Sequence, residues 1–204
     1  PNHTLPDHWA WASLIEISQT IIDSHHKTAP YSGQGIHLIR TTDIKNRQID
    51  LKKTKKITPR TNNLWTRRLP PNGGDIIFTR EAPMGEAAII PDGEVVCLGQ
   101  RTMLIKLFPD IINNKFLIYA IYSSSFRQRM YEKAVGMSVK HLRSSSVEEL
   151  MVPVPPKDEQ DQIVAIIDSL LQDCDVLDTQ LKEIKDVANK LAKASIESIT
   201  GIQA

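Results

Sequence analysis

A seam of apolar residues in the last quarter of the chain constrains it most. Ile163, Ile167, Leu170, Cys174, Leu177, Leu181, Ile184, Ala188 and Leu191 follow in alternating steps of four and three. This is the a/d spacing of a coiled coil, held over four heptads with no Gly or Pro inside. It predicts one helix from Asp158 to about Ile199, roughly 60 Å long at about 1.5 Å per residue. A helix of that length is too long for one element of a small core. It predicts a spacer arm that packs along another helix. Asp158, Glu159 and Asp161 stand near its start, where carboxylates suit the helix dipole.

The arm divides the chain into an expected globular domain, 1–157, and an expected spacer and dimerisation helix, 158–204. Charge divides the same way. Residues 1–157 hold 21 Lys/Arg and 14 Asp/Glu, a net of +7, and residues 158–204 hold 4 and 10, a net of −6. A basic domain on an acidic arm fits a polyanion at one end and a protein along the other. No stretch of 18 apolar residues is present, so no membrane span is expected. No basic-then-apolar leader is visible, and Cys97 and Cys174 lack CxxC or His neighbours at metal spacing. The expectation is a reducing, cytoplasmic protein with no metal and no cofactor.

Within 1–157 the pattern is β-rich with some helix, so the expected class is α+β. The opening Leu5 to Ile17 reads as a Pro-Asp turn, a short strand through Trp9 and Trp11, and a helical turn. Ile21 to Gly35 reads as a loop. Gly35 to Ile44 alternates as a strand that ends on Arg40, Thr41, Thr42 and Asp43. Lys45 to Arg68 is basic and too interrupted for a buried strand; it is either a solvated loop or a phosphate-contacting surface. From Leu69 to Phe108, turns every eight to twelve residues separate short strands. Lys115 to Ala134 carries one helical stripe. A small-residue, basic loop follows from Val135 to Ser146, then a helical turn at Val147 to Leu150 and an extended Met151 to Pro156.

Catalytic signatures are absent. There is no GxSxG, GxxxxGK[ST], GxGxxG or HExxH, no Asn/Asp-Pro-Pro-aromatic string, and no Asp followed by Glu-x-Lys on a strand. Asp75 follows Gly74 as a turn residue. Cys97 lies in an apolar strand and reads as core. The expectation is a binding protein that is not an enzyme.

These residues together resemble the DNA-specificity subunit of type I restriction–modification systems. The carriers are Leu5-Pro6-x-x-Trp9 and Leu38-Ile39-Arg40-Thr41-x-Asp43-Ile44. Gly74-Asp75-Ile76-Ile77, Met84-Gly85 and the Gly136 loop with Lys140 and Leu142 follow in order. The most diagnostic string is Val152-Pro153-Val154-Pro155-Pro156-x-x-Glu159-Gln160-x-x-Ile163-Val164, leading into the heptads. The resemblance implies a target-recognition domain that reads a few base pairs and a helix that spaces it from another. It implies double-stranded DNA, a methyltransferase subunit and a motor–nuclease subunit as partners. One domain and one helix are about half the family's length, which makes this chain a half-unit, natural or excised. Two copies pairing the seam residues Ile163, Ile167, Leu170, Cys174, Leu177, Leu181, Ile184 and Leu191 antiparallel would give a homodimer and a gapped palindromic target.

Phosphate contacts position a protein and base contacts specify. Lys45, Lys52 and Lys53 are expected on phosphates. Arg40, Thr41, Thr42, Arg80, Gln100, Arg101, Ser138, Lys140 and His141 have side chains able to meet base edges, though any one of them could instead be a surface salt-bridge partner. Two other functions remain open at this level. One is the recognition module of a fused restriction or phage-defence enzyme. The other is a coiled-coil scaffold whose basic domain binds protein or RNA.

Overall fold

The computed structural model describes residues 4–200, with side chains from 4 to 195. In chain order come β1 (Ala10–Ser13), β2 (Ser18–Asp23) and β3 (Ile36–Ile39). A 3-10 turn, Thr41–Asp43, leads to β4 (Ile44–Lys45), β5 (Gln48–Ile49) and β6 (Lys55–Ile57). Helix α1 (Pro59–Trp65) follows, then β7 (Ile76–Thr79), β8 (Ala87–Ile89), β9 (Val96–Leu98) and β10 (Thr102–Leu107). The chain ends with α2 (Asn114–Tyr122), α3 (Ser124–Lys133), α4 (Ser144–Glu148), β11 (Met151–Val154) and α5 (Lys157–Thr200). This is the mixed α+β domain and long C-terminal helix that the sequence predicts. Residues 201–204 of the expected arm lie outside the described residues.

Two small sheets make the core. One is antiparallel in the order β2-β10-β7-β8; the other is β6-β3-β9, with β3 and β9 parallel. Strands β1 and β11 pair at the side, and β4 and β5 form a hairpin. The period-2 alternation of β3 and β9 explains the core. Ile39, Val96 and Leu98 face one apolar cluster, shared with Ile44, Ile77, Ala88, Ile90 and Leu104. Their neighbours Leu38 and Cys97 face a second cluster, with Ala29 and Ile57. The β3/β9 pair is thus covered on both faces, which is where parallel pairing belongs.

Three expectations are corrected. Ser18–Asp23 is a strand, where Ile21 to Gly35 was expected to be loop; it pairs along β10, with Ile22 opposite Leu104 and Ile21 opposite Ile105. The basic run contains α1, which starts on the Thr58 cap, whose hydroxyl accepts from the Thr61 amide, with Pro59 in its first turn. The Lys115 to Ala134 stripe is two helices, not one. Ser123 ends α2 and caps α3, accepting from the Phe126 amide at 3.2 Å.

The chain divides into two compact units, one through Asp161 and one from Gln162. The first turn of α5 belongs to the first unit, and its side chains explain why. Gln160 is fully buried. Its Oε1 accepts from the Asn113 amide at 2.8 Å, and its Nε2 donates to the carbonyls of Ile111 and Pro155 at 2.9 Å each. Glu159 accepts from Trp9 Nε1 at 3.0 Å, and Asp161 accepts from Asn113 Nδ2 at 2.7 Å. The Glu159-Gln160 part of the diagnostic string is therefore a socket for the helix start. In the second unit the seam meets water: Leu170, Leu177, Leu181, Ile184 and Leu191 are 57–64 % exposed, and Cys174 is exposed.

Candidate nucleic-acid interface

The site is built at the C-terminal end of β3. The chain leaves the sheet at Arg40 and turns at once, because Asp43 folds back on it. The Asp43 carboxylate accepts from the Arg40 amide at 2.9 Å, from Arg40 Nε at 3.0 Å and from Arg40 Nη2 at 2.8 Å. Asp43's side chain is 2 % exposed and Arg40's 33 %. The hydrogen bond with Asp43 holds Arg40 above its ordinary pKa, against partial desolvation. Beside it, Thr41 Oγ1 donates to the Ala82 carbonyl at 3.0 Å. Gly99, at the end of β9, donates its amide to the Ile39 carbonyl at 2.7 Å. A Cβ there would lie 2.8 Å from that oxygen and 3.2 Å from Arg40 Cγ, so only glycine fits.

Two concavities meet at this point. The first, about 200 Å³, is lined by Tyr31, Arg40, Thr41, Thr42, Gln100 and Arg101 among others. The second, about 1010 Å³, is lined by Arg40, Thr42, Lys45, Gln48, Lys52, Lys53 and Lys55 with their neighbours. Arg40 and Thr42 belong to both. The first sets Arg40 and Arg101 among neutral side chains, and the second sets four lysines beside Asp43 and Asp50. Lys45, Lys52 and Lys53 are exposed, and Lys53 makes a surface ion pair with Asp50 at 2.9 Å. The β4–β5 hairpin, which carries Lys45 of this wall and leads into Lys52 and Lys53, turns on Asn46 and Arg47, at φ 51° and 69°. Two successive positive φ values suit a two-residue hairpin loop. The Arg47 amide donates to Tyr122 Oη at 3.0 Å, which ties the hairpin to α2.

The profile of the family described as "Type I restriction modification DNA specificity domain" matches residues 26–186. The chain belongs to this family. The specificity domain is 26 % identical over 196 residues to the Escherichia coli type I restriction enzyme EcoAI specificity subunit, covering 93 % of this chain and 33 % of that protein. It is 22 % identical over 205 residues to the Escherichia coli EcoBI specificity subunit, covering 97 % of this chain and 40 % of the relative. The chain thus spans well under half the length of these relatives. Its fold is similar to that in a structure described as the basis of assembly and conformational transition of the type I R-M system. The TM-score there is 0.72 at 19 % identity, covering 95 % of this chain and 46 % of that one. It is also similar to the HsdS subunit from Thermoanaerobacter tengcongensis, with a TM-score of 0.63 at 19 % identity, covering 87 % and 41 %.

The remaining expected residues of the specificity domain fall into two groups. Ser138, Lys140 and His141 lie on a hairpin-like loop closed by reciprocal Val135 and His141 backbone bonds of 2.9 Å. Gly136 at φ +102° permits the turn. Ser138 and Lys140 are exposed. His141 bridges to Glu81, and Glu81 forms an ion pair with Arg101, so the loop's foot is linked to the first concavity. Arg80 points elsewhere. Its Nη2 meets Asp23 at 3.0 Å with both side chains 14 % exposed, and its Nη1 donates to the Leu142 carbonyl at 3.0 Å. Gln100 is also engaged: its Oε1 accepts from Thr28 Oγ1 at 3.0 Å, and its Nε2 donates to the His26 carbonyl. Asp43, Gly99 and Glu81 shape the site without having been expected to line it. The Asp43 signal was its i+3 spacing from Arg40; Gly99 and Glu81 carry no local signal.

Among the described residues no group of three His, Cys, Asp or Glu is placed to hold a metal ion. No described helix is long and apolar enough to cross a membrane.

Proposed function

We propose that the specificity domain binds double-stranded DNA and reads one half of a gapped target, with no chemistry of its own. The observation that carries this reading is the meeting of the two concavities at Arg40 and Thr42. The lysine wall suits phosphates, whose contacts set register, and the polar concavity suits base edges. Lys45, Lys52 and Lys53 take the backbone. Arg40, Thr42 and Arg101 take bases, with Ser138, Lys140 and His141 as a second contact, while Thr41, buried and bonded to the Ala82 carbonyl, holds the turn. Arg80 and Gln100 hold loops in this scheme, which takes them out of the base-reading set.

A bare apolar seam on a long helix needs a partner. A second copy packed antiparallel covers it and creates two-fold symmetry, so the target is an interrupted palindrome. The acidic remainder of α5 is then available to a methyltransferase subunit and, through it, a motor–nuclease subunit. Selection from a randomised duplex library tests the reading, with light scattering on the same protein. A gapped consensus and a dimer mass are expected. Binding without any base preference would overturn the recognition role, and a monomer at micromolar concentration would overturn the homodimer.

A further inference from the structure

We propose that the Arg40–Asp43 pair reads the major-groove edge of a guanine, one in each half-site. The inference rests on the DNA-reading role above and names the base. A guanidinium carries its N–H donors in a rigid planar fork. Asp43 takes Nε and one hydrogen of Nη2, at 3.0 and 2.8 Å. That occupies one edge of the fork. The donors left on Nη1 and Nη2 form the other edge, two parallel N–H groups in one plane; the Tyr31 hydroxyl beside the guanidinium is a weaker partner than Asp43, one that a base would displace. The Arg40 side chain is one-third exposed and lines both concavities.

The pair is held stiffly. Asp43 is nearly sealed from water and also accepts from the Arg40 backbone. The Arg40 stem passes so close to Gly99 that a Cβ there would come within 3.2 Å of Arg40 Cγ. A fixed fork loses little rotamer freedom on binding, which favours a geometrically strict partner.

Charge decides between a phosphate and a base. Arg40 and Asp43 together are net neutral, so a phosphate gains little long-range attraction from them. The lysines across the second concavity serve that need. A neutral fork fits a neutral pair of acceptors. In the major groove guanine offers two acceptors side by side, N7 and O6; adenine replaces one with a donor, thymine offers one acceptor and a methyl, and cytosine offers a donor. Only guanine matches both remaining N–H groups.

The test uses the full chain and its selected consensus. Each consensus guanine is replaced in turn by 7-deazaguanine, which keeps Watson–Crick pairing and loses the N7 acceptor. At one guanine per half-site this should weaken the unaltered protein about fivefold, the worth of roughly one hydrogen bond. Inosine at the same position keeps N7 and O6 and should be tolerated. Arg40→Ala should lose about 5- to 150-fold of its guanine preference there, the usual worth of a bidentate pair, and leave other positions unchanged. It should also make that position insensitive to 7-deazaguanine. Asp43→Asn should weaken the same preference. If no consensus guanine responds to 7-deazaguanine, or Arg40→Ala weakens all sequences alike, the assignment is overturned while specific DNA reading stands. If no consensus emerges at all, both readings fall. The base-analogue arm uses unaltered protein, so a folding defect in a variant cannot mimic the result.

Discussion

Removing one heptad from α5 should shorten the gap in the DNA target by about three base pairs. The deletion to make is Cys174–Gln180. It joins Asp173 to Leu181, so the step from Leu170 to the next seam residue stays four and the stripe is unbroken. Every residue in the deleted stretch is exposed, so the first unit loses no packing. Seven residues at about 1.5 Å remove roughly 10 Å from the arm. At about 3.4 Å per base pair that matches three pairs. Three pairs also rotate the second half-site by about 100°, given roughly 10.5 pairs per turn. The shortened protein should therefore select a gap near three pairs shorter, bind it more weakly than the parent binds its own, and keep the same bases at each end. A three-residue deletion at the same place is the control. It turns the later seam residues roughly 60° off the stripe and should abolish pairing instead of shifting the gap. Selection from a randomised library reads both outcomes. If the heptad deletion kept the parental gap, the arm would be an oligomerisation device and not a ruler.

Three further outcomes follow from single side chains. Gln160→Leu leaves the Asn113 amide and the Ile111 and Pro155 carbonyls without their partner; the expected loss is about 2–4 kcal/mol, read as a lower melting temperature, and an unchanged melt would contradict the socket. Lys52→Ala should weaken binding to every sequence and lower the log–log salt slope by about 1, so a sequence-selective loss would move Lys52 from phosphate to base. Burial pushes the Cys97 thiol up to about 12, whereas Cys174 is exposed on the seam. A thiol reagent at pH 8 should modify Cys174 alone, more slowly as concentration drives the seams together; rapid labelling of Cys97 in the native chain would refute its place in the core.

The arm was the most legible part of the sequence, because its signal is periodic and local. The short strands expected between Leu69 and Phe108 are β7 to β10; they were legible because turns bracket them. Strand β2 was not, because Ile21 and Ile22 are adjacent and the flanking Ser, Gln and His look like loop; β10 supplies its reason to be extended. Helix α1 has no apolar stripe, and the Thr58-Pro59 start was its only mark. The site residues were recognisable by type. Their meeting was not, because Gly99, Gln100 and Arg101 reach Arg40 only through the parallel pairing of β9 with β3. Arg80 shows the reverse limit: its sequence neighbourhood looks like a surface turn, and only the fold brings Asp23 to it.

The cover on both faces of β3 and β9 bears on how such a protein can change its target. The apolar residues of these strands point into two separate clusters, and Ile44, Ile49 and Leu51 pin the hairpin beyond Asp43 and the turn after it to the first of them, with the Tyr122 hydroxyl holding the Arg47 amide. The exposed side chains there, Lys45, Gln48, Lys52 and Lys53, can be exchanged without disturbing either cluster. A lineage could therefore drift to new DNA sequences at almost constant stability, changing what is read while the frame that presents the reading surface stays as it is.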